Sequence, residues 1–426
     1  MENESPKPTG NNEKQPAKKP KWRLFRWIAK GTGALLLLAV LAWTGAYLYA
    51  TYDLNSTIEE LERDGYTTNL QDLARPPVHA EESTTEAYHA AFDKMMDIVI
   101  PDLYCDHGYA TWLVPDDGDH PPTEEDLNEA CAWVEETREV VDAFLSAGDP
   151  RLCRFEWISR WENLSVYDTQ GEMEPDRLTT SPWIARTLYF HATVYALKGD
   201  YERVRECLSG IYNLALLYEN EPFLLTQALR YNKYSLLFSM IDLCVTRKTG
   251  ERELNEWLEF IDGLNSIEGS TEIALRGQLA IYTDFFQRND KVGLFVRPYF
   301  RWDGADGLQR IRRCIELSQK PYSSVENELA GLQPGMTPFN IYIMYMNLDS
   351  HTWKKETATI SLRLLVRTGI LCELARLREG KYPDAIEGID PLTGKSFDYS
   401  PTDGWIRTRD EELRDGDHTW KLRQAN

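Results

Sequence analysis

The sequence predicts a mainly α-helical protein with a transmembrane helix near its N-terminus and a small β-hairpin near its C-terminus. Three observations lead to this fold class. Residues 31–52 form an uncharged apolar run, apolar residues recur at helical spacing through most of the chain beyond it, and short β-like segments follow residue 395. We therefore expect an anchor, an irregular array of helical hairpins, and a β-hairpin packed on a long helix.

Changes in composition divide the chain into four segments. Residues 1–30, in which Asn, Pro, Lys and Glu are frequent, are expected to be a basic, disordered tail. Residues 31–52 are the predicted anchor. Residues 53–353 are the predicted helical domain, and residues 354–426 hold a long helix followed by the β-hairpin.

The apolar run has the length and flanks of a membrane anchor. Gly31–Tyr52 contains 22 residues without a charge, and at 1.5 Å per residue this length spans a hydrocarbon core of roughly 30 Å. Residues 1–30 carry eight Lys or Arg against three acidic residues, whereas acidic residues follow the run. The positive-inside rule then places the N-terminus in the cytoplasm and residue 53 onward outside it, with the lipid bilayer contacted through residues 31–52.

A cleaved signal peptide is the alternative interpretation of the same run. Its apolar core would be Ala34–Trp43, and Ala46 or Ala50 would be the last residue removed. The run is long for a signal peptide, and the bulky Tyr47 and Tyr49 crowd a cleavage site at Ala50. We therefore favour an uncleaved signal-anchor.

Charge and cysteine content exclude several classes of function. The net charge is −21, and because residues 1–30 contribute +5, the remainder carries −26. Such an acidic body repels nucleic acid, so DNA and RNA are not expected as partners. The seven cysteines occur singly, without a CxxC pair, which argues against a zinc ribbon. We interpret them as small core residues, with disulfide formation as the alternative.

Local signals in the helical domain mark individual helices. Thr123 is the predicted N-cap of one helix, with Asp126 three residues later in the position of a capping carboxylate. Residues 183–219 form a helical hairpin in which Gly199 supplies a left-handed C-cap. The turn ALKGDYERVRECL is similar to that of a tetratricopeptide repeat, although the sequence contains only one convincing copy of it. Further helices are expected near residues 82–98, 223–245, 254–264, 271–288, 306–318, 323–331 and 354–379.

The C-terminal region changes character after this last helix. Residues 397–399 and 405–408 are predicted strands joined by a turn at 401–404, and residues 419–422 could add a third strand. Because two strands alone are marginal in water, the hairpin is expected to bury apolar side chains on helix 354–379. The candidates are Phe397, Tyr399, Trp405 and Ile406.

This region resembles the C-terminal part of the major pseudopilins of type II secretion. The residues that carry the resemblance are a G-x-Y-P turn and a D-P-x-x-G-x-x-x-x-Y segment, namely Gly380, Tyr382, Pro383, Asp390, Pro391, Gly394 and Tyr399. The whole chain also resembles a group of uncharacterised single-pass bacterial membrane proteins, which implies a place in the bacterial cytoplasmic membrane. The calcium loop of some pseudopilins is reduced to Asp415-Gly416-Asp417, so no metal ligand is assigned.

No motif in the sequence identifies a reaction. GxSxG, P-loop, GxGxxG and HExxH patterns are absent, and neither catalytic residues nor a cofactor are assigned. The densest cluster of potential metal ligands combines Cys105, Asp106 and His107 with the acidic loop 115–122, and we interpret it as a solvated loop. Trp157 and Trp161 could line a sugar groove, but a core stripe is the favoured interpretation.

The remaining candidate is a basic concentration at residues 297–313. It could bind an anion or an acidic partner, but we expect these arginines to pair with nearby acids such as Asp303, Asp306 and Glu316. The favoured function is an extracytoplasmic interaction or scaffold protein with a protein partner in the envelope or in a secretion machine. The alternative is an envelope hydrolase that acts on glycan or peptide.

Overall fold

The computed structural model describes residues 22–73, 78–98, 122–154, 175–246, 249–288, 294–332, 348–408 and 419–422. It confirms the mainly helical fold class with a long apolar N-terminal helix and a small C-terminal sheet. The helices of the described part are α1 (Trp22–Arg63), α2 (Thr85–Met96), α3 (Glu124–Leu145), α4 (Pro175–Lys198), α5 (Tyr201–Leu216), α6 (Leu224–Thr246), α7 (Glu251–Asp262), α8 (Ser270–Arg288), α9 (Arg297–Ser318), α10 (Tyr322–Gly331) and α11 (Leu348–Glu379). The strands are β1 (Asp398–Ser400), β2 (Trp405–Arg407) and β3 (Thr419–Lys421).

Two local predictions are confirmed in detail. The Thr123 hydroxyl accepts a hydrogen bond from the backbone N–H of Asp126, and the Asp126 carboxylate accepts one from the backbone N–H of Thr123. This reciprocal capping box fixes the start of α3. Gly199 ends α4 with a φ of 77°, and the Asp200 side chain caps α5. The predicted hairpin is therefore the α4–α5 pair.

Helix α6 lies in the middle of the larger core. It packs on α4, α5, α8 and α11, and it is buried except along a narrow stripe through Leu225, Asn232 and Ser239. A helix that is buried on nearly every side has no amphipathic pattern to reveal its orientation. The buried residues of α6 include polar side chains as well as apolar ones.

A second core joins the N-terminal helix to the rest of the protein. It is formed by α8, α9, α10 and the C-terminal part of α1, together with Trp353 and Leu392. Helix α1 begins at Trp22, so the expected disordered tail 1–30 ends earlier than predicted, and residues 1–21 lie outside the described range. Trp22–Lys30 contains neither proline nor glycine, which allows the helix to start there.

The C-terminal strands form an antiparallel sheet in the order β1-β2-β3, with Tyr399, Ile406 and Trp420 in register. The expected packing on the last long helix is confirmed, since β2 and β3 contact α11. Ile406 and Trp420 are buried there. Gly369 of α11 makes room for the indole, because a Cβ at this position would lie 2.2 Å from Trp420 Cε2.

Candidate functional site

The junction between α1 and α9 connects the apolar N-terminal segment to the folded domain. Among the described residues, one helix is long and apolar enough to cross a membrane, and only 6% of its apolar window is buried. This low burial distinguishes it from the core helix of a soluble protein. After this segment the same helix enters the protein interior, where Ala50, Leu54, Ile58 and Leu61 are buried at a spacing of three to four residues.

Ion pairs reinforce this junction. Arg312 of α9 contacts the carboxylates of Glu60 on α1 and of Asp64 just after it, each at 2.7 Å, and that of Glu316 on its own helix at 3.2 Å. The hydrogen bond and charge of Arg312 lower the pKa of Glu60. At the other end of the junction, Arg301 Nη1 donates to Thr51 Oγ1 at 2.9 Å.

Most arginines of the basic concentration at residues 297–313 thus form contacts within the protein. Arg310 pairs with Asp306, as predicted, and Arg313 pairs with Glu316 and Glu328. The prediction of local acidic partners missed the carboxylates of Glu60 and Asp64, which lie about 250 positions earlier in the chain and gave no local signal. These contacts give Arg312 a structural role in holding α1 against α9.

A buried polar cluster surrounds the first half of α6. The Tyr231 hydroxyl lies 2.8 Å from Ser270 Oγ and 3.0 Å from Thr271 Oγ1. It donates to Glu356 Oε2 at 3.3 Å, and the backbone N–H of Thr271 donates to the same oxygen at 2.9 Å. Burial raises the pKa of Glu356, while these hydrogen bonds oppose the rise. Glu356 therefore satisfies the N-terminus of α8, which is a structural task.

Arg230 forms a second polar group on the same helix. Its guanidinium lies 3.6 Å from the Glu219 carboxylate and 3.5 Å from the side-chain oxygen of Gln227. Asn265 donates to the same Glu219 oxygen at 2.7 Å. Because Arg230 is 2% exposed, the group links α6 to neighbouring segments and cannot meet a large substrate in this conformation.

Lys233 is a buried lysine on α6. It is 1% exposed, and within the described part of the chain no ion pair joins it to a carboxylate. Its Nζ lies 5.2 Å from the centroid of the Tyr218 ring. Burial lowers the pKa of Lys233 to about 7. The sequence predicted a helix near residues 223–245, but nothing in its pattern singled out Lys233 as buried.

The tail residues that carry the pseudopilin resemblance hold the tail on α11. The buried Asp390 carboxylate accepts hydrogen bonds from Ser361 Oγ at 2.5 Å and from the backbone N–H of Leu392 at 3.0 Å. The Tyr382 hydroxyl donates to Glu373 at 2.6 Å, and the Tyr399 hydroxyl donates to the carbonyl oxygen of Pro383 at 2.6 Å. Each polar group is satisfied within the chain.

The described part includes two surface depressions of interest. One, of about 270 Å³, lies between α11 and the loop 383–397, and its lining is largely apolar. The other, of about 670 Å³, lies between α3 and α5, and its lining is mixed, with eight charged or polar residues and Leu145. The residues of the second are Asp142, Leu145, Ser146, Glu202, Arg203, Arg205, Glu206, Ser209 and Asn213.

Several candidate residues from the sequence fall outside the described residues. These are Cys105, Asp106, His107, the loop 115–121, Trp157, Trp161 and the segment 415–417. Within the described residues, no three His, Cys, Asp or Glu side chains gather as a metal site. His191 is buried with Nε2 2.7 Å from Thr137 Oγ1, and burial lowers its pKa to about 4.

The described cysteines agree with the interpretation as core residues. All six are unpaired, and five of them are buried. Burial raises the pKa of both Cys207 and Cys372 to about 12, which makes these thiols poor nucleophiles.

Comparison with known proteins adds no assignment to this geometry. No protein-family model, curated protein or solved structure matches the chain.

Proposed function

We propose that this chain is a single-pass membrane protein that holds a helical interaction domain against the outer face of the bacterial cytoplasmic membrane, where the domain binds a protein of the cell envelope. The supporting observation is the unbroken helix α1, which joins an apolar segment of membrane length to a segment buried in the domain. A continuous helix docked by ion pairs fixes both the height and the tilt of the domain. This attachment suits a scaffold that presents a surface in one orientation.

The same junction favours the uncleaved anchor over the signal peptide. Cleavage after Ala50 would separate Tyr47, whose ring centroid lies 5.1 Å from the Arg301 guanidinium, from Thr51, which accepts a hydrogen bond from Arg301. It would also separate Ala50 from the apolar residues of its own buried stripe. Retention of the helix therefore contributes to the stability of the domain as well as to its location.

The partner-binding surface is proposed to be the polar depression between α3 and α5. It is lined by α5, the second helix of the TPR-like hairpin, and by the end of α3, and the charge of −26 outside residues 1–30 favours a partner with a basic or polar surface. The hydrolase alternative gains no observation from the described residues, and its candidate aromatic residues Trp157 and Trp161 lie outside them.

Topology is tested first. A periplasmic reporter such as alkaline phosphatase, fused after Gly65, should be active, whereas a cytoplasmic reporter at the same position should be inactive. An N-terminal epitope tag should remain on the membrane-bound, full-length protein, since signal cleavage would remove it. Reversed reporter activities, or loss of the tag, would contradict the proposed anchor.

The binding role is tested by cross-linking in intact cells. A photo-reactive amino acid at Ser209, in the polar depression, should give a discrete adduct with an envelope protein. The same photo-reactive amino acid at the exposed position Glu379 of α11 serves as the matched control and should give no adduct. A flexible Gly-Ser insertion between Tyr52 and Asp53 should weaken the adduct. Equal labelling from both positions would contradict a specific surface.

A further inference from the structure

Four exposed apolar residues cluster at the N-terminal end of α9. Leu294, Phe295, Tyr299 and Trp302 are 56%, 80%, 64% and 58% exposed. Phe295, Tyr299 and Trp302 follow each other at intervals of four and three residues, which places them on one side of the chain. The alternate positions Pro298 and Phe300 are buried in the second core, so this end of α9 is anchored while its apolar outer side is uncovered.

The contacts of α9 with α1 show where this cluster lies. Arg301 binds Thr51, whereas Arg312, farther along α9, binds Glu60 and Asp64. The two helices therefore run in the same direction, and the N-terminal end of α9 points toward the apolar segment of α1. At a rise of 1.5 Å per residue, Arg297 lies about 6 Å beyond Arg301 in that direction.

The level of this cluster coincides with the end of the uncharged run. Thr51 is next to Tyr52, the last residue before the acidic stretch that starts at Asp53. Trp and Tyr side chains favour the membrane–water interface, and Phe and Leu favour the acyl chains below it. Tyr299 and Trp302 thus stand at the expected level of the headgroups, with Leu294 and Phe295 on the side of the hydrocarbon.

We propose that residues 294–302 insert into the outer-leaflet interface beside α1 and form a second membrane contact of the domain. This inference rests on the proposed function, because it requires α1 to span the bilayer. Lipid is the favoured occupant because Arg301, which lies between Tyr299 and Trp302 in the sequence, contacts Tyr47 and Thr51 at the end of the apolar segment of α1 and so places the cluster beside that segment. One helix leaves rotation about its axis free, and the second contact removes that freedom.

Spin labels on the full chain in lipid vesicles test the proposal. The labels are attached to Phe295→Cys, to Leu41→Cys in the apolar segment of α1, and to Lys320→Cys just beyond the opposite end of α9. Cys105 and Cys131 are replaced by serine; the other five cysteines are buried and unpaired. Relaxation of each label by oxygen, which concentrates in the bilayer, is compared with relaxation by a water-soluble nickel chelate.

The labels at positions 41 and 295 should both respond several-fold more to oxygen than to nickel, whereas the label at position 320 should show the reverse. If position 41 is membrane-embedded and position 295 responds like position 320, the second contact is refuted and the anchor stands. Protection of position 295 from both reagents would show that protein, such as a second copy of this chain, covers the cluster, and would also refute lipid contact. A label at position 41 that responds to nickel would overturn the proposed anchor itself.

Discussion

Lys233 offers the sharpest test of the described core. Its side-chain nitrogen lies inside the protein, 5.2 Å from the centroid of the Tyr218 ring. Desolvation lowers its pKa from 10.5 to about 7. In the unfolded chain the side chain stays protonated up to about pH 10.4. The folded state therefore releases a proton that the unfolded state retains between these two pH values.

The sign and size of the effect follow from this difference. Because the unfolded state binds more protons between pH 7 and pH 10.5, the free energy of unfolding rises with pH in this window. The penalty of the buried lysine is complete below pH 7, where it reaches about 5 kcal/mol, since each pKa step is worth about 1.4 kcal/mol. It falls to about 4 kcal/mol at pH 7 and about 2 kcal/mol at pH 9.

The perturbation is Lys233→Met, which keeps an unbranched chain of similar volume and removes the charge. We expect the substitution to raise the free energy of unfolding by about 4 kcal/mol at pH 7 and by about 2 kcal/mol at pH 9. Denaturant unfolding of the full chain in detergent, followed by circular dichroism, measures both values. Asp242, whose pKa is raised to about 7 by burial, titrates alike in both proteins and cancels in the difference.

Lys198→Met is the matched control, because Lys198 is exposed at the end of α4. Its stability should equal that of the unmodified protein at both pH values. A Lys233→Met protein that is less stable than the unmodified one would show that the ammonium group makes a favourable contact. A gain in stability that does not change with pH would show that Lys233 keeps its proton in the folded state. Either result refutes the reasoning.

Three further predictions concern the junction between α1 and α9 and the C-terminal tail. Arg312→Met should lower the free energy of unfolding by about 1 kcal/mol, a modest loss because the carboxylate partners of Arg312 are partly exposed. This loss should be smaller at high salt, which screens the ion pairs. A loss of stability that does not depend on salt would contradict the role of these ion pairs. Gly369→Ala should cost about 1–3 kcal/mol because its Cβ would collide with Trp420, whereas Gly331→Ala, with no atom within 4 Å, should be neutral in the same thermal melt. Deletion of residues 380–426 should lower the melting temperature by roughly 5–10 °C, because it uncovers the face of α11 that the tail buries. Membrane insertion should be unchanged. A truncated protein with the same melting temperature as the full chain would show that the tail does not cap α11.

The sequence allowed prediction wherever the signal was local. The capping box of Thr123 and Asp126 and the left-handed turn at Gly199 depend on residues three or four positions apart, and both were confirmed. Helix α9 was predicted from residue 306 but begins at Arg297. Pro298 in its first turn is the signal that could have found this start, because proline is favoured there.

Contacts between distant segments could not be predicted in this way. The pairing of Arg312 with Glu60 and Asp64 depends on α1 running alongside α9, and no pattern in either helix specifies the other. The polar residues of α6 pose a different difficulty. Lys233 and Arg230 read as surface residues by type, yet α6 is enclosed by four other helices, so their burial is a property of the packing alone.

The path of α1 also limits what the tail resemblance implies. In a pseudopilin the membrane helix continues directly into the helix that carries the tail, which allows subunits to stack. Here α1 docks on α9, while the tail packs on α11, a separate helix that lies against α6 and α7. Asp390 and Tyr399 are hydrogen-bonded to their own chain, so the tail is occupied in covering α11. A filament built on the pseudopilin principle would require α1 to leave α9 and expose Leu54, Ile58 and Leu61. We therefore expect the tail to serve as a cap on this domain, and we do not expect the protein to polymerise into a pseudopilin-like filament.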